Sequence, residues 1–193
     1  MLPESVSVLM VVVNVFERLH IPYLVGGSMA SALYGVVRST LDADIVADFH
    51  LEKVGALIKA LGIDFYADEA MIQDAIRHQS SFNLIHLKTM FKVDVFIRKD
   101  RPYDRVQFER RVEQVFATNP EQKVFILTAE DIILAKLEWY RMGGEVSDRH
   151  WRDILGVLTV QADRLDRDYL RKWAVELGVA DLLHRAFIET GVE

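Results

Sequence analysis

Residues 26–48 read "GGSMASALYGVVRSTLDADIVAD", and the reading of this run decides the fold. At its far end Leu41, Ala43, Ile45 and Ala47 alternate with Asp42, Asp44, Val46 and Asp48. Side chains on a strand alternate between faces, so the apolar row meets a core and the acids share the opposite side. At its near end, a short strand "YLV" (23–25) runs into Gly26-Gly27. The small-residue stretch "SMASALYG" that follows is helix-compatible, with Ser28 as N-cap and Gly35 as stop. Strand, glycine pair, helix and acid-bearing strand therefore follow one another within a few dozen residues.

Outward from this run the pattern stays mixed. Upstream, Leu9, Val13, Phe16 and Leu19 recur at helical spacing over residues 5–20, despite the many valines. Downstream, "LEKVGALIKALG" (51–62) and residues 68–78 read as helices. "SFNLIHL" and "MFKVDVFI" read as strands joined by a tight turn near Lys88-Thr89. In the second of them Phe91, Val93, Val95 and Ile97 share one face, and Lys92, Asp94 and Phe96 the other. A charged segment from Arg98 to Glu113 precedes a short strand, "KVFIL". From Thr128 the spacing is helical throughout, over roughly 128–141, 147–162, 166–177 and 179–190, with Gly143-Gly144 and Gly178 as breaks. Thr128 and Asp131 have a capping-box-like spacing. The expected architecture is α/β (α+β): a small mixed sheet with helices on one face over residues 1–127, then a C-terminal helical region over 128–193.

Composition narrows the function classes. The 193 residues, 51% hydrophobic and 27% charged, are those of an ordinary globular chain with one substantial core. The absence of cysteine excludes disulfides and thiolate zinc sites and suits a reducing cytoplasm. "VSVLMVVVNVF" falls short of the roughly 18 apolar residues of a membrane span, and "MLPES" lacks the positive charge of a signal peptide. A cytoplasmic protein without membrane contact is expected. The net charge of −6 argues against non-specific coating of nucleic acid.

Asp42 and Asp44 point the same way, about 7 Å apart along the strand, and repel unless something positive lies between them. Alternating acids on a strand are commonly just its solvent face. If the strand bearing Asp94 is a neighbour, however, three carboxylates converge on one patch of sheet. Such a patch favours a hard divalent cation with oxygen ligands, Mg²⁺ above all when phosphates complete the shell. Two such ions could clamp an in-line displacement at phosphorus. Gly26-Gly27-Ser28 adds exposed backbone N–H groups and a helix N-terminus suited to phosphate oxygens.

The run "VGGSMASALYGVVRSTLDADIV" resembles the signature of the nucleotidyltransferase superfamily with the DNA polymerase β-type fold. Its finer form, "RSTLDAD", is similar to the R-x-T-x-D-x-D run of AbiEii-type nucleotidyltransferases, a group that includes toxins of toxin–antitoxin and phage-defence systems. The resemblance implies transfer of NMP from an NTP to a hydroxyl acceptor, with two Mg²⁺ ions, or Mn²⁺, held by Asp42, Asp44 and Asp94. Asp94 would also act as general base. Gly26, Gly27 and Ser28 would hold the triphosphate, with Arg38 and Thr40 positioning phosphate or, for Arg38, forming a salt bridge.

In the helix over 128–141, Asp131, Glu138 and Arg141 mark the polar side. Lys136 falls amid Ile132, Ile133, Leu137, Trp139 and Tyr140. A lysine there must snorkel out or find an anionic partner. A bound triphosphate would serve, as the similar lysine of AbiEii-type proteins implies, and so would an acid such as Asp153. Asp153 itself resembles the acid of that group's R-x-x-D segment. The arginines between 98 and 111 offer an anionic acceptor, such as tRNA, a local positive stretch. A protein, an antibiotic hydroxyl and an antitoxin partner are the other expectations. The alternative from a different class is a catalytically silent nucleotide-binding or antitoxin-partner module.

Overall fold

The protein is seen in a computed structural model that describes residues 4–35, 42–118 and 121–192. In chain order it begins with α1 (Glu4–Arg18), β1 (Tyr23–Val25), α2 (Gly27–Tyr34), β2 (Asp42–Ala47), α3 (Val54–Leu61) and β3 (Phe65–Tyr66). It continues through α4 (Glu69–His78), β4 (Ser81–His86), β5 (Lys92–Ile97), α5 (Pro102–Glu109), β6 (Val112–Thr118) and β7 (Glu121–Ile126). It ends in α6 (Ala129–Met142), α7 (Asp148–Gln161), α8 (Arg167–Glu176) and α9 (Ala180–Thr190). The fold is mixed α/β. Contacts divide it into two units, one holding the strands with α1 and α3–α5, the other holding α2 with α6–α9. Thus α2 lies between strands in sequence yet groups with the C-terminal helices.

Among the described residues, seven strands form one mixed sheet in the order β3-β4-β5-β2-β1-β7-β6. Alternation sets which face is buried. Ala43 and Ile45 on β2, Val93 and Val95 on β5, and Phe82 and Leu84 on β4 all point to the core. The buried stripe of α1 is built from Val8, Leu9, Val12, Val13 and Phe16. Phe16 stacks on Phe49 at 6.2 Å and meets Tyr23 edge-on at the same distance, and Phe49 in turn packs on Phe82 at 5.9 Å. These rings tie α1 to the sheet, which is why so valine-rich a segment is helical: tertiary burial outweighs the modest helix penalty of β-branching.

Several local features differ from the sequence-based expectation. Residues 51–62 open with a 3₁₀ turn, Leu51–Lys53, before α3. The charged segment holds α5, with Pro102 at its first position, where a missing N–H costs nothing. It then continues as β6, the sheet's edge strand beside β7.

In the helical unit, α2 packs on α6 and α7. Gly35, just past α2, allows the closest approach. A Cβ there would lie 3.0 Å from the Val157 amide nitrogen and 3.2 Å from the Gly156 carbonyl carbon, both backbone atoms. Gly35→Ala is therefore expected to lower stability by about 1–3 kcal/mol, as overpacking does; an unchanged denaturant midpoint would refute the close approach. Trp151 of α7 packs on Tyr140 of α6 at 5.2 Å, and its Nε1 donates to Glu189 Oε2 of α9 at 2.9 Å.

The polar side expected for α6 is corrected here. Thr128 caps the helix as the spacing predicts, its Oγ1 accepting from the Asp131 amide. Asp131, however, is 0% exposed, because the Thr128 and Tyr169 hydroxyls both donate to its carboxylate. Glu130 is also buried and accepts from the Asp166 amide, whereas Trp139, assigned to the apolar arc, is half exposed. No helix among the described residues is long and apolar enough to cross a membrane.

Candidate active site

The carboxylates belong to the strand unit. Strands β2 and β5 run parallel, with Asp42 beside Lys92 and Asp44 beside Asp94, and Asn83 of antiparallel β4 lies beside Asp94 on its other side. Paired residues of neighbouring strands share a face. Asp42, Asp44, Asp94, Lys92 and Asn83 therefore stand together opposite the core row, all partly exposed. The burial of Ala43, Ile45, Val93 and Val95 enforces this placement.

The face carries its own cation. Lys92 Nζ lies 2.7 Å from Asp94 Oδ2. This bond raises the lysine's pKa above its usual value against some desolvation, and the fields of Asp94, Asp42 and Asp44 add to the rise. The other oxygen of Asp94, Oδ1, is buried without a hydrogen-bond partner. The donor set is one of hard oxygens, as a divalent cation of the Mg²⁺ kind requires, and the orphaned Oδ1 is an acceptor with capacity to spare. Among the described residues, though, no three His, Cys, Asp or Glu side chains are arranged to hold one metal ion. The acids form a row with an ammonium against it rather than a closed cage.

The glycine pair is placed by its backbone. The Gly26 amide donates to the Asp44 carbonyl at 2.9 Å, which pins the end of β1 to the acid-bearing strand. Gly27 opens α2 with φ of 57°, a left-handed conformation in which any side chain is strained. The helix starts at Gly27, so Ser28 is a buried first-turn residue rather than the expected N-cap. Its hydroxyl accepts from Arg149 Nη2 at 3.1 Å. Arg38 and Thr40 lie outside the described residues.

Lys136 and Asp153 meet. Lys136 Nζ donates to Asp153 Oδ2 at 2.8 Å, with the side chains only 7% and 8% exposed. The lysine thus has the anionic partner that its place on an apolar arc demands. Asp48, the outlying acid of the motif strand, lies 3.4 Å from Arg98 and 3.7 Å from His50 and is half-buried. The positive stretch after β5 is largely spoken for within the chain. Arg98 also approaches Asp100, Arg101 forks onto Asp104, and Arg111 lies over the rings of Phe108 and Phe125.

Two contacts escaped the sequence. Lys92 was visible as the residue two before Asp94 on its face, yet only the register of β2 against β5 brings it to Asp42. Arg149 reaches Ser28 across 121 residues, and no local pattern announces that.

No family model matches the chain, and no curated protein matches it in sequence. Solved structures do match in fold. The antibiotic-resistance factor ANT(2'')-Ia aligns with a TM-score of 0.57 over 93% of this chain and 95% of its own, at 17% identity. An antigenic nucleotidyltransferase-like protein from Paracoccidioides brasiliensis aligns with a TM-score of 0.55 over 80% of this chain and 75% of its own, at 21% identity. The chain shares its mixed α/β fold with both proteins.

Proposed function

We propose that this chain is a nucleotidyltransferase that moves NMP from an NTP to a hydroxyl acceptor and releases pyrophosphate. The observation that carries the reading is the parallel register of Asp44 with Asp94, with Asp42 on the same face, in a fold of this class. Asp42, Asp44 and Asp94 would hold Mg²⁺ or Mn²⁺, which when bound supplies charge neutralisation for the triphosphate. Asp94 would also orient the acceptor hydroxyl and take its proton, its orphaned Oδ1 being an acceptor without a competing donor. The Gly26 bond to the Asp44 carbonyl ties the acid strand to the end of β1. The sequence signature supports phosphate contacts from Gly26, Gly27, Ser28, Arg38 and Thr40, with Lys136 and Asp153 supporting the nucleotide from α6 and α7.

Two acceptor classes follow from different supports. The "RSTLDAD" run supports a toxin-like, AbiEii-type enzyme with an RNA or protein acceptor and an antitoxin partner. The structural likeness to an antibiotic-resistance factor supports an antibiotic hydroxyl. A catalytically silent nucleotide-binding module is the second reading, favoured by the ammonium already seated on Asp94. The test is to incubate the protein with each α-labelled NTP and Mg²⁺ or Mn²⁺ against tRNA, cell-extract protein and a panel of hydroxyl-bearing antibiotics. Label is expected on one acceptor class. Metal-dependent NTP binding with no label transferred to any of them would establish the silent module instead.

A further inference from the structure

We infer that Lys92 is the counter-ion of the acid row: its ammonium holds Asp94 and would have to move for Asp94 to hold a divalent cation. The inference rests on the carboxylate reading above and deepens it. Aspartates on one face of two adjoining strands repel one another, and that repulsion is offset by positive charge set beside them. The chain supplies it from within the row, through the 2.7 Å contact of Lys92 with Asp94 and the register that sets Lys92 beside Asp42.

The arrangement is also reversible. The Asp94 side chain is 14% exposed and held by its strand, whereas that of Lys92 is 41% exposed on a flexible four-carbon stem. Of the two, the lysine is the partner with somewhere to go. Water is one destination, and a phosphate oxygen of an incoming nucleotide is the other. For Asp94 to hold a bare divalent cation, Lys92 would have to move its ammonium into water. With nucleotide bound at the same time, a phosphate oxygen would give Lys92 an anionic group to move onto. Lys92 therefore lowers the affinity for metal alone and favours entry of metal and nucleotide together. It acts through Asp94 as a positioning residue.

The test measures Mn²⁺ binding without nucleotide, by the loss of the free-ion paramagnetic resonance signal, for the wild type, Lys92→Met and Asp44→Asn. Lys92→Met is expected to bind Mn²⁺ about tenfold more tightly than the wild type, the scale of removing one partly screened charge. Added ATP should narrow that gap. Asp44→Asn is expected to bind more weakly than the wild type. Equal or weaker Mn²⁺ binding by Lys92→Met, with Asp44→Asn still impaired, overturns the role of Lys92 and leaves the carboxylate site standing. Wild-type binding by Asp44→Asn, or no binding by any of the three, overturns both. Circular dichroism checks that each variant is folded, and Lys92→Gln repeats the measurement with a different neutral side chain.

Discussion

If the proposed function holds, Asp44→Asn is expected to lower nucleotidyl transfer by about 10³-fold while leaving the protein folded and Tm little changed. The substitution keeps the size of the side chain and the bond from the Gly26 amide to the residue 44 carbonyl, so β2 stays in register. It removes one of the three charges on the face to which the proposed function assigns the metal. Loss of a like charge relieves repulsion but also weakens the attraction of residue 44 for Lys92, so Tm should change little. The pair of readouts is what makes the result specific. A fall in both rate and Tm would signal damage to the sheet, and unchanged transfer would remove Asp44 from the chemistry.

The second large effect concerns Lys136. Replacing it by Met leaves the Asp153 carboxylate buried without its ammonium, at a cost of about 3–5 kcal/mol. For a chain of this size that corresponds to a fall in Tm of about 10 °C. The double variant Lys136→Met with Asp153→Leu removes both charges and should recover most of the loss, since apolar side chains of similar volume replace such pairs well. Recovery of Tm then allows a clean measurement of nucleotide affinity. Weaker NTP binding by the restored double variant supports a role on the triphosphate, and undiminished binding places the pair in the scaffold of α6 and α7.

How much of this could be read in advance depended on distance along the chain. Strands β2, β4 and β5 and helices α6–α9 were legible because alternation and helical spacing are local signals. Strand β6 was not: Arg110, Arg111 and Glu113 make its start look like a solvated loop, and edge strands carry such charges as a matter of course. Helix α5 was hidden in the same way by Asp104, Arg105 and Glu109. The two-residue β3 is shorter than any pattern can register. In the site, the shared face of Asp42 and Asp44 followed from i, i+2 spacing alone. Their meeting with Asp94, and the part of Lys92, depended on which strands pair and in what register. The burial of Asp131 came from Tyr169 and Thr128, the first of them 38 residues away.

The parallel register of β2 and β5 has one further consequence. Because strands have a period of two, the step that sends Ala43, Ile45, Val93 and Val95 inward is the same step that sends Asp42, Asp44 and Asp94 outward. Slippage by one residue would put acids in the core and valines in water, and such a sheet would not form. Folding thus acts as a parity check on the chemistry: a molecule that has closed its core has already aligned its acids. Drift can remove the aspartates one at a time by substitution, but a single-residue insertion within either strand is removed at the folding step, before activity is ever tested.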